Sequence, residues 1–187
     1  MTTLLVPLRH AIGIAMAMTC FLTVSVSLTG CVDLSRRGAA VSRDWNVRKG
    51  DALPAFSLPD TEGNMVSLED FTSRPVLLAR FATWCPPCKA ELAAIQRDIL
   101  PRFSGKAVAI VAVSSGEDAE TVRKFVKREG LEFPVLVDKD GTYAKAIGGS
   151  AIPRSVIADR DHTIQRLTVG YSPKELDALA TELESFI

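Results

Sequence analysis

The stretch Ala79-Arg80-Phe81-Ala82-Thr83-Trp84-Cys85-Pro86-Pro87-Cys88-Lys89-Ala90-Glu91 places two cysteines three positions apart at the end of an apolar segment. Residues 75–82 form a short apolar run bounded by turn residues, which predicts a buried strand. From Ala90 onward the apolar side chains recur with helical spacing; these are Leu92, Ile95, Ile99 and Leu100. The two cysteines are therefore predicted to lie at a strand-to-helix junction.

That junction suits reactive sulfur. The first turn of a helix has unpaired N–H groups and the positive end of the helix dipole, and both favour a thiolate over a thiol. Cys85 gains most from this position. Cys88 lies one turn further in, where it is shielded and close enough to close a small disulfide ring after Cys85 has reacted. Pro86 and Pro87 fit a helix start, because a first-turn proline needs no N–H partner. The spacing is typical of thiol–disulfide exchange.

Other interpretations of a C-x-x-C pair are less well supported by this chain. A structural zinc site needs about four ligands, and three of the remaining candidates lie in or beside a predicted targeting segment; the candidates are His10, Cys20, Cys31 and His162. Covalent haem attachment requires histidine at position 89, which is lysine. A purely structural disulfide across so short a loop would stabilise the fold little. We expect no metal and no cofactor.

The first 30 residues have the features of a secretory signal, with Arg9 before an apolar run at 11–28 and small residues before Cys31. The sequence Leu28-Thr29-Gly30-Cys31 resembles a bacterial lipobox, which implies that Cys31 is lipidated and becomes the mature N-terminus. An uncleaved membrane anchor is the alternative, because the apolar run is near the lower length limit for spanning. Either form tethers the rest of the chain outside the cytoplasm, where disulfide chemistry is possible.

The remaining chain divides into a polar linker at 31–48 and one domain at 49–187. The linker is rich in charge and has little apolar periodicity, whereas the later residues are long enough for one ordinary core. Lys plus Arg and Asp plus Glu both number 22, so the formal net charge is zero. Because no basic stripe is present, nucleic acid is not an expected partner. We expect a monomer.

Along the domain, strand and helix patterns alternate, which indicates the α/β class. Two short strands at 53–58 and 65–68 flank a turn, which predicts an N-terminal hairpin. Further strands are predicted at 107–114, 133–138, 155–158 and 163–167, and helices at 119–129, at 142–147 and from Ser172 to about Phe186. His162 lies in the turn before the last strand, so we expect it to face solvent.

Residues 82–92, Ala-Thr-Trp-Cys-Pro-Pro-Cys-Lys-Ala-Glu-Leu, resemble the active-site signature of the TlpA/ResA-like branch of the thioredoxin superfamily. These are membrane-tethered, extracytoplasmic thiol–disulfide oxidoreductases. The segment 53–71 resembles their N-terminal hairpin, and Ile152-Pro153 resembles their cis-proline site, so the resemblance covers about 49–187. It implies a thioredoxin fold, with a central mixed β-sheet flanked by helices and an added N-terminal β-hairpin.

The resemblance also implies roles for individual residues. Cys85 attacks a substrate disulfide, Cys88 resolves the mixed disulfide, and Glu91 assists by accepting the proton of Cys88, unless Glu91 simply faces solvent. The substrate-contacting residues that it implies are Trp84, Pro86, Pro87, Ile152 and Pro153. Two positions depart from the family pattern. Ala79 stands where many thioredoxins carry a buried acid, and Arg80 replaces a usual apolar residue and receives no role.

The function that the resemblance implies is reduction of disulfides in exported proteins, for example during cytochrome c maturation. The implied partners are a disulfide-containing protein and a membrane electron donor, at the periplasmic face of a membrane that holds the lipid anchor. A thiol peroxidase is disfavoured, because its motif requires Pro and Thr where Leu78 and Ala82 stand. A disulfide-donating oxidase and a non-catalytic, redox-sensing lipoprotein remain as alternatives.

Overall fold

The computed structural model describes residues 44–187, in which seven strands and four α-helices follow one another along the chain. The strands are β1 Ser57–Pro59, β2 Met65–Ser67, β3 Val76–Phe81, β4 Ala109–Ser115, β5 Val135–Asp138, β6 Arg154–Ala158 and β7 Ile164–Val169. The helices are α1 Pro86–Ala94, α2 Ala119–Glu129, α3 Thr142–Ile147 and α4 Pro173–Glu184. The predicted signal segment, the lipidation site at Cys31 and most of the linker lie outside the described residues.

Strand β3 occupies the centre of a five-stranded sheet with the order β5-β4-β3-β6-β7. Strands β3, β4 and β5 are parallel, whereas β6 runs antiparallel to β3 and β7 antiparallel to β6. The sheet is therefore mixed, and helices cover both of its faces. This arrangement confirms the predicted α/β, thioredoxin-like fold.

The apolar run in β3 follows from its position. Leu77 and Phe81 pack with residues of α1, α2 and α4, whereas Val76 and Leu78 face the hairpin and α3. A strand that is covered on both faces must be apolar along nearly its whole length. Arg80 is the exception, since it is buried on the same face as Val76 and Leu78.

Polar side chains fix where the helices begin. Asp118 caps α2 by accepting the backbone N–H of Thr121 at 2.9 Å, and Ser172 caps α4 by accepting the N–H of Glu175 at 3.2 Å. After α1 the chain continues through a π-helical segment, Ile95–Ile99, and a 3₁₀ turn that contains Pro101, which has no N–H to continue an α-helix. Within residues 44–187 no helix has the length and apolar character needed to cross a membrane.

The predicted N-terminal hairpin forms a small sheet of its own, in which β1 and β2 pair antiparallel. Its turn is organised by the Asp60 carboxylate, which accepts the backbone N–H groups of Glu62 at 2.8 Å and Asn64 at 2.9 Å. The hairpin reaches the central sheet through an isolated antiparallel bridge between Asp60 and Leu136 of β5.

Two local expectations require correction. The last residues of the predicted linker contact the domain: Trp45 and Val47 pack against its core, and the Asn46 N–H donates to the Ile147 carbonyl at 2.9 Å. His162 is half-buried rather than solvent-facing, because its ring Nε2 lies 3.2 Å from the Phe71 carbonyl oxygen. Both contacts join parts of the chain that are far apart in sequence, so local patterns gave no sign of them.

We expect Gly149→Ala to destabilise the protein more than Gly63→Ala. Both glycines have positive φ, +82° and +93° respectively, which costs an alanine about 1–2 kcal/mol. A Cβ at Gly149 would also clash with the buried Arg154 guanidinium, whereas a Cβ at Gly63 would meet no atom of the described residues within 4 Å. Overpacking should add about 1–3 kcal/mol at position 149 alone. Urea unfolding of the two variants measures the difference, and equal losses would contradict this packing argument.

Candidate active site

The candidate active site lies at the C-terminal end of β3, where the chain passes through residues 82–84 into α1. The Thr83 backbone N–H donates to Glu117 Oε2 at 2.8 Å, and the Thr83 hydroxyl donates to the other carboxylate oxygen. Glu117 belongs to the loop between β4 and α2, so two loops are held together directly in front of the cysteines. Sequence patterns do not predict the pairing of Glu117 with Thr83, because it is a tertiary contact between residues 34 positions apart.

The two cysteines form a disulfide across the first turn of α1. Cys85 is the N-cap residue, its Sγ lies 3.3 Å from the backbone nitrogen of Cys88, and Pro86 and Pro87 occupy the first helical positions. Both cysteines are buried, with Cys85 3% and Cys88 0% exposed. This confirms the predicted strand-to-helix junction. At such a position the free N–H groups and the dipole of the helix stabilise negative charge on the Cys85 sulfur.

The loop before β6 completes the site opposite the cysteines. The Ile152–Pro153 peptide bond is cis, as the resemblance implied. The Ile152 carbonyl oxygen lies 4.0 Å from Cys85 Sγ, although the two residues are 67 positions apart in the chain. The backbone of this loop therefore faces the Cys85 sulfur.

Around this contact the surface is apolar and accessible. The Trp84 side chain is 69% exposed, Pro86 and Pro87 are exposed, and Ile152 is half-buried. A large exposed aromatic residue beside a reactive centre is typical of a recognition surface. The structure thus brings the predicted site residues of the segment 84–91 close to Ile152 and Pro153. Of the predicted site residues, Cys31 alone lies outside the described part of the chain.

Glu91 lies on α1 one turn after Cys88, and it is 2% exposed, which excludes the solvent-facing alternative. The Ser155 hydroxyl donates to Glu91 Oε1 at 2.8 Å, whereas Oε2 has no hydrogen-bond partner among the described residues. Burial raises the pKa of Glu91 to about 7, and the bond from Ser155 opposes part of that rise. Such a carboxyl can take up and release a proton near neutral pH.

Ser155 is a site residue that the sequence did not single out. It lies on β6 two positions after Pro153, directly opposite Ala79 of β3. Ala79 is the position where the resemblance would place a buried acid. In this protein the buried carboxylate near that position is Glu91 of α1, and the Ser155 hydroxyl on the neighbouring strand donates to it. A serine in an apolar strand carries no signal of such a partner.

No group of three or more His, Cys, Asp or Glu side chains within residues 44–187 is arranged to hold a metal ion. The described site contains two sulfurs, one buried carboxyl group and the backbone of the cis-proline loop.

Comparison with known proteins gives a consistent result. The Redoxin family model matches residues 48–183. The thiol-disulfide oxidoreductase ResA of Bacillus cereus strain ATCC 10987 is 32% identical over 148 residues, which cover 79% of this chain and 85% of the relative. ResA of Bacillus subtilis strain 168 is 31% identical over 125 residues, which cover 67% of this chain and 69% of the relative. A Chlorobium tepidum crystal structure, provisionally assigned as thiol:disulfide interchange protein DsbE, superposes with a TM-score of 0.69 at 28% identity, covering 75% of this chain and 98% of that one.

The burial of Glu91 predicts a pH-dependent stability. Between the ordinary carboxyl pKa of 4.5 and the folded value of about 7, the folded protein holds a proton that the unfolded chain has lost. Stability of the disulfide form should therefore fall by about 3 kcal/mol as the pH rises from 5 to 8. We expect Glu91→Gln to remove this fall, and urea unfolding at both pH values measures it.

The matched control is Glu132→Gln, which neutralises an exposed carboxylate and should keep the pH dependence of the parent chain. If Glu91→Gln showed the same loss of stability with rising pH as the parent chain, the buried carboxyl would not be the titrating group.

Proposed function

We propose that this chain, which belongs to the redoxin family as a ResA/TlpA-like member of the thioredoxin superfamily, reduces disulfides in exported proteins through the Cys85–Cys88 dithiol. It is a thioredoxin-like thiol–disulfide oxidoreductase. The observation that carries the proposal is the position of Cys85 Sγ, at a helix N-terminus and 4.0 Å from the carbonyl of Ile152. Substrate backbone and reactive sulfur can meet only where these two features coincide.

In the proposed reaction the Cys85 thiolate attacks one sulfur of the substrate disulfide. The substrate S–S bond breaks, a mixed disulfide forms at Cys85, and the other substrate sulfur leaves as a thiolate. Cys88 then passes its proton to Glu91 and attacks Cys85 Sγ, which releases the second substrate thiolate and closes the Cys85–Cys88 disulfide. Two electrons pass from the enzyme dithiol to the substrate.

The surface around Cys85 supports docking of an extended segment. Trp84, Pro86 and Pro87 offer apolar contacts on one side of the sulfur, and the backbone of Ile152, next to cis-Pro153, offers hydrogen-bonding groups on the other. Main-chain pairing gives affinity for many sequences, and the exposed tryptophan adds an anchor. A protein disulfide in an unfolded or extended segment is the substrate class that fits.

The proposed direction and location draw on the N-terminal sequence and the family resemblance. A lipobox-like ending at Cys31 places the enzyme at the periplasmic face of a membrane, held by lipid, where a membrane thiol–disulfide protein returns it to the dithiol form. Apocytochrome c before haem attachment is one exported protein whose cysteines must be kept reduced. The peroxidase alternative is less well supported, because Ala82 offers no hydroxyl and Thr83 donates its own hydroxyl to Glu117.

Trapping the intermediate tests the order of the two cysteines. We expect Cys88→Ser to accumulate a mixed disulfide with an oxidised Cys-x-x-Cys-His peptide, since the resolving sulfur is gone and Cys85 remains able to attack. Cys85→Ser should accumulate little, because Cys88 is fully buried. Intact-protein mass spectrometry measures both adducts, and equal trapping by the two variants would contradict the assigned roles.

The reduction potential of the Cys85–Cys88 pair tests the direction of electron flow. Equilibration of the full-length chain against thioredoxin and glutathione buffers should give a potential near or below about −250 mV, as expected of a reductant. A value near about −120 mV would identify a disulfide-donating oxidase instead. A dithiol form that reduced no peptide or protein disulfide would favour the redox-sensing alternative.

A further inference from the structure

Two buried arginines face each other behind the cis-proline loop. Arg80 of β3 and Arg154 of β6 are direct partners in the antiparallel register, and they are 3% and 1% exposed. Like charges opposite each other on neighbouring strands repel, and burying a charge without partners is costly. Burial, followed by the charge of Arg154, lowers the pKa of Arg80. The pair therefore depends on the groups that surround it.

Backbone carbonyls of the loop supply most of those groups. Arg80 donates to the carbonyl oxygens of Ala144 at 3.2 Å and Gly148 at 2.8 Å, and also to that of Gly149. Arg154 Nε donates to the carbonyl of Ala151 at 2.7 Å. Three carbonyls between residues 148 and 151 thus point inward at two cations. Their bonds fix the backbone that leads directly into Ile152 and cis-Pro153.

The segment 44–46 closes over the same loop from outside. The Asp44 carboxylate accepts the Ser150 backbone N–H at 2.9 Å and pairs with Arg154 at 3.3 Å. The Arg154 guanidinium lies over the Trp45 ring, with its Cζ 4.3 Å from the ring centroid. The Asn46 side-chain amide donates a hydrogen bond to the Lys145 carbonyl at 2.7 Å. Asp44 is thereby the carboxylate that pairs with Arg154, whereas the charge of Arg80 is favoured first by the buried Asp138 and then by Asp44.

We propose that Asp44, Arg80 and Arg154 are positioning residues for substrate docking, because together they clasp the loop 148–151 and hold the backbone of Ile152 against Cys85. This inference rests on the proposed function, since it assumes that the cis-proline loop pairs with substrate. It assigns a role to Arg80, for which the sequence offered none. It also makes the segment 44–46 part of the working site, although these residues touch neither sulfur nor substrate.

If these residues position the loop, loosening it should weaken peptide binding without slowing thiol–disulfide exchange at Cys85 and Cys88. In Asp44→Ala the Ser150 N–H loses its acceptor and Arg154 loses its carboxylate partner, whereas Cys85 stays at the N-terminus of α1 and Cys88 and Glu91 lose no contact. Binding of an extended peptide should weaken, because the loop must be ordered again on each encounter. A small disulfide needs no pairing with the loop, so its reaction should be unaffected.

The experiment uses the proposed mature chain, from which Cys20 has been removed with the signal segment and in which Cys31 carries lipid, in its dithiol form with two oxidants, an oxidised Cys-x-x-Cys-His peptide and 5,5′-dithiobis(2-nitrobenzoic acid). Single-turnover rates are followed by tryptophan fluorescence and by absorbance, respectively. We expect Asp44→Ala to raise the half-saturating peptide concentration about five- to tenfold at an unchanged limiting rate. Its rate with the small disulfide should stay within about twofold of the parent chain, and the Cys85–Cys88 potential should not move.

Two further variants provide the comparison. Asp51→Ala removes a 3.3 Å ion pair with Arg48 and a hydrogen bond from the Arg48 backbone N–H, both of which lie just after the segment 44–46, and it should behave as the parent chain. Asp44→Asn keeps an oxygen for the Ser150 N–H but loses the charge, so its effect should be intermediate. Amide hydrogen exchange gives an independent reading, since the residues 148–152 should exchange faster in Asp44→Ala and not in Asp51→Ala.

Each outcome decides a separate point. Suppose that the parent chain reduces the peptide while Asp44→Ala shows the same half-saturating peptide concentration, or the same amide exchange of residues 148–152, as the parent chain. Either result would contradict the proposal that Asp44 positions the loop. If the rates of Asp44→Ala with both oxidants fall equally, the segment 44–46 affects the cysteines or the stability of the fold, and the positioning role is also wrong. If the parent chain reduces the small disulfide but not the peptide, the proposed function fails, and the docking role fails with it.

Discussion

The site depends on one approach between distant parts of the chain, that of Cys85 Sγ to the carbonyl of Ile152. The Cys85 sulfur is positioned by the junction between β3 and α1. The Ile152 carbonyl belongs to the loop that ends at the cis Ile152–Pro153 bond. Each part is ordinary alone. Together they place the Cys85 sulfur beside the backbone of this loop, which is the geometry on which the proposed exchange with a protein disulfide rests. Much of the surrounding structure keeps these two parts in register, from the pairing of β3 with β6 to the contact between Thr83 and Glu117.

A second constraint is the burial of polar groups close to this contact. Glu91 has one carboxylate oxygen without a hydrogen-bond partner within residues 44–187, and Arg80 and Arg154 face each other inside the domain. Such groups destabilise a fold unless something compensates for their burial. Their clustering around one end of the sheet is typical of sites where stability is given up for function. The same burial that destabilises the Glu91 carboxylate brings its pKa into the range where proton exchange is easy.

The sequence could predict the features that depend on neighbours along the chain. The apolar runs of β3 and β4, the caps at Asp118 and Ser172 and the cysteine junction are all local, and the structure has them within a few residues. The cis bond at Pro153 came from resemblance and not from any local pattern. The partner of Glu91, the pairing of Thr83 with Glu117 and the contacts of Arg80 could not be predicted, because each joins segments more than 30 residues apart. A charged residue in a strand that is otherwise apolar was the one visible sign that such contacts existed.

The bridge between Asp60 and Leu136 has a consequence for association of the protein with its own copies. Strand β5 is an edge of the central sheet, and an uncovered edge offers free backbone groups on which another chain can add a strand. The hairpin lies against this edge through that bridge. On the opposite edge, β7 carries Arg166, which pairs with Glu175 and Glu182 of α4. The hairpin thus pairs with one edge of the sheet and the other edge carries a charged side chain, and both features disfavour the addition of a strand from another copy of the protein.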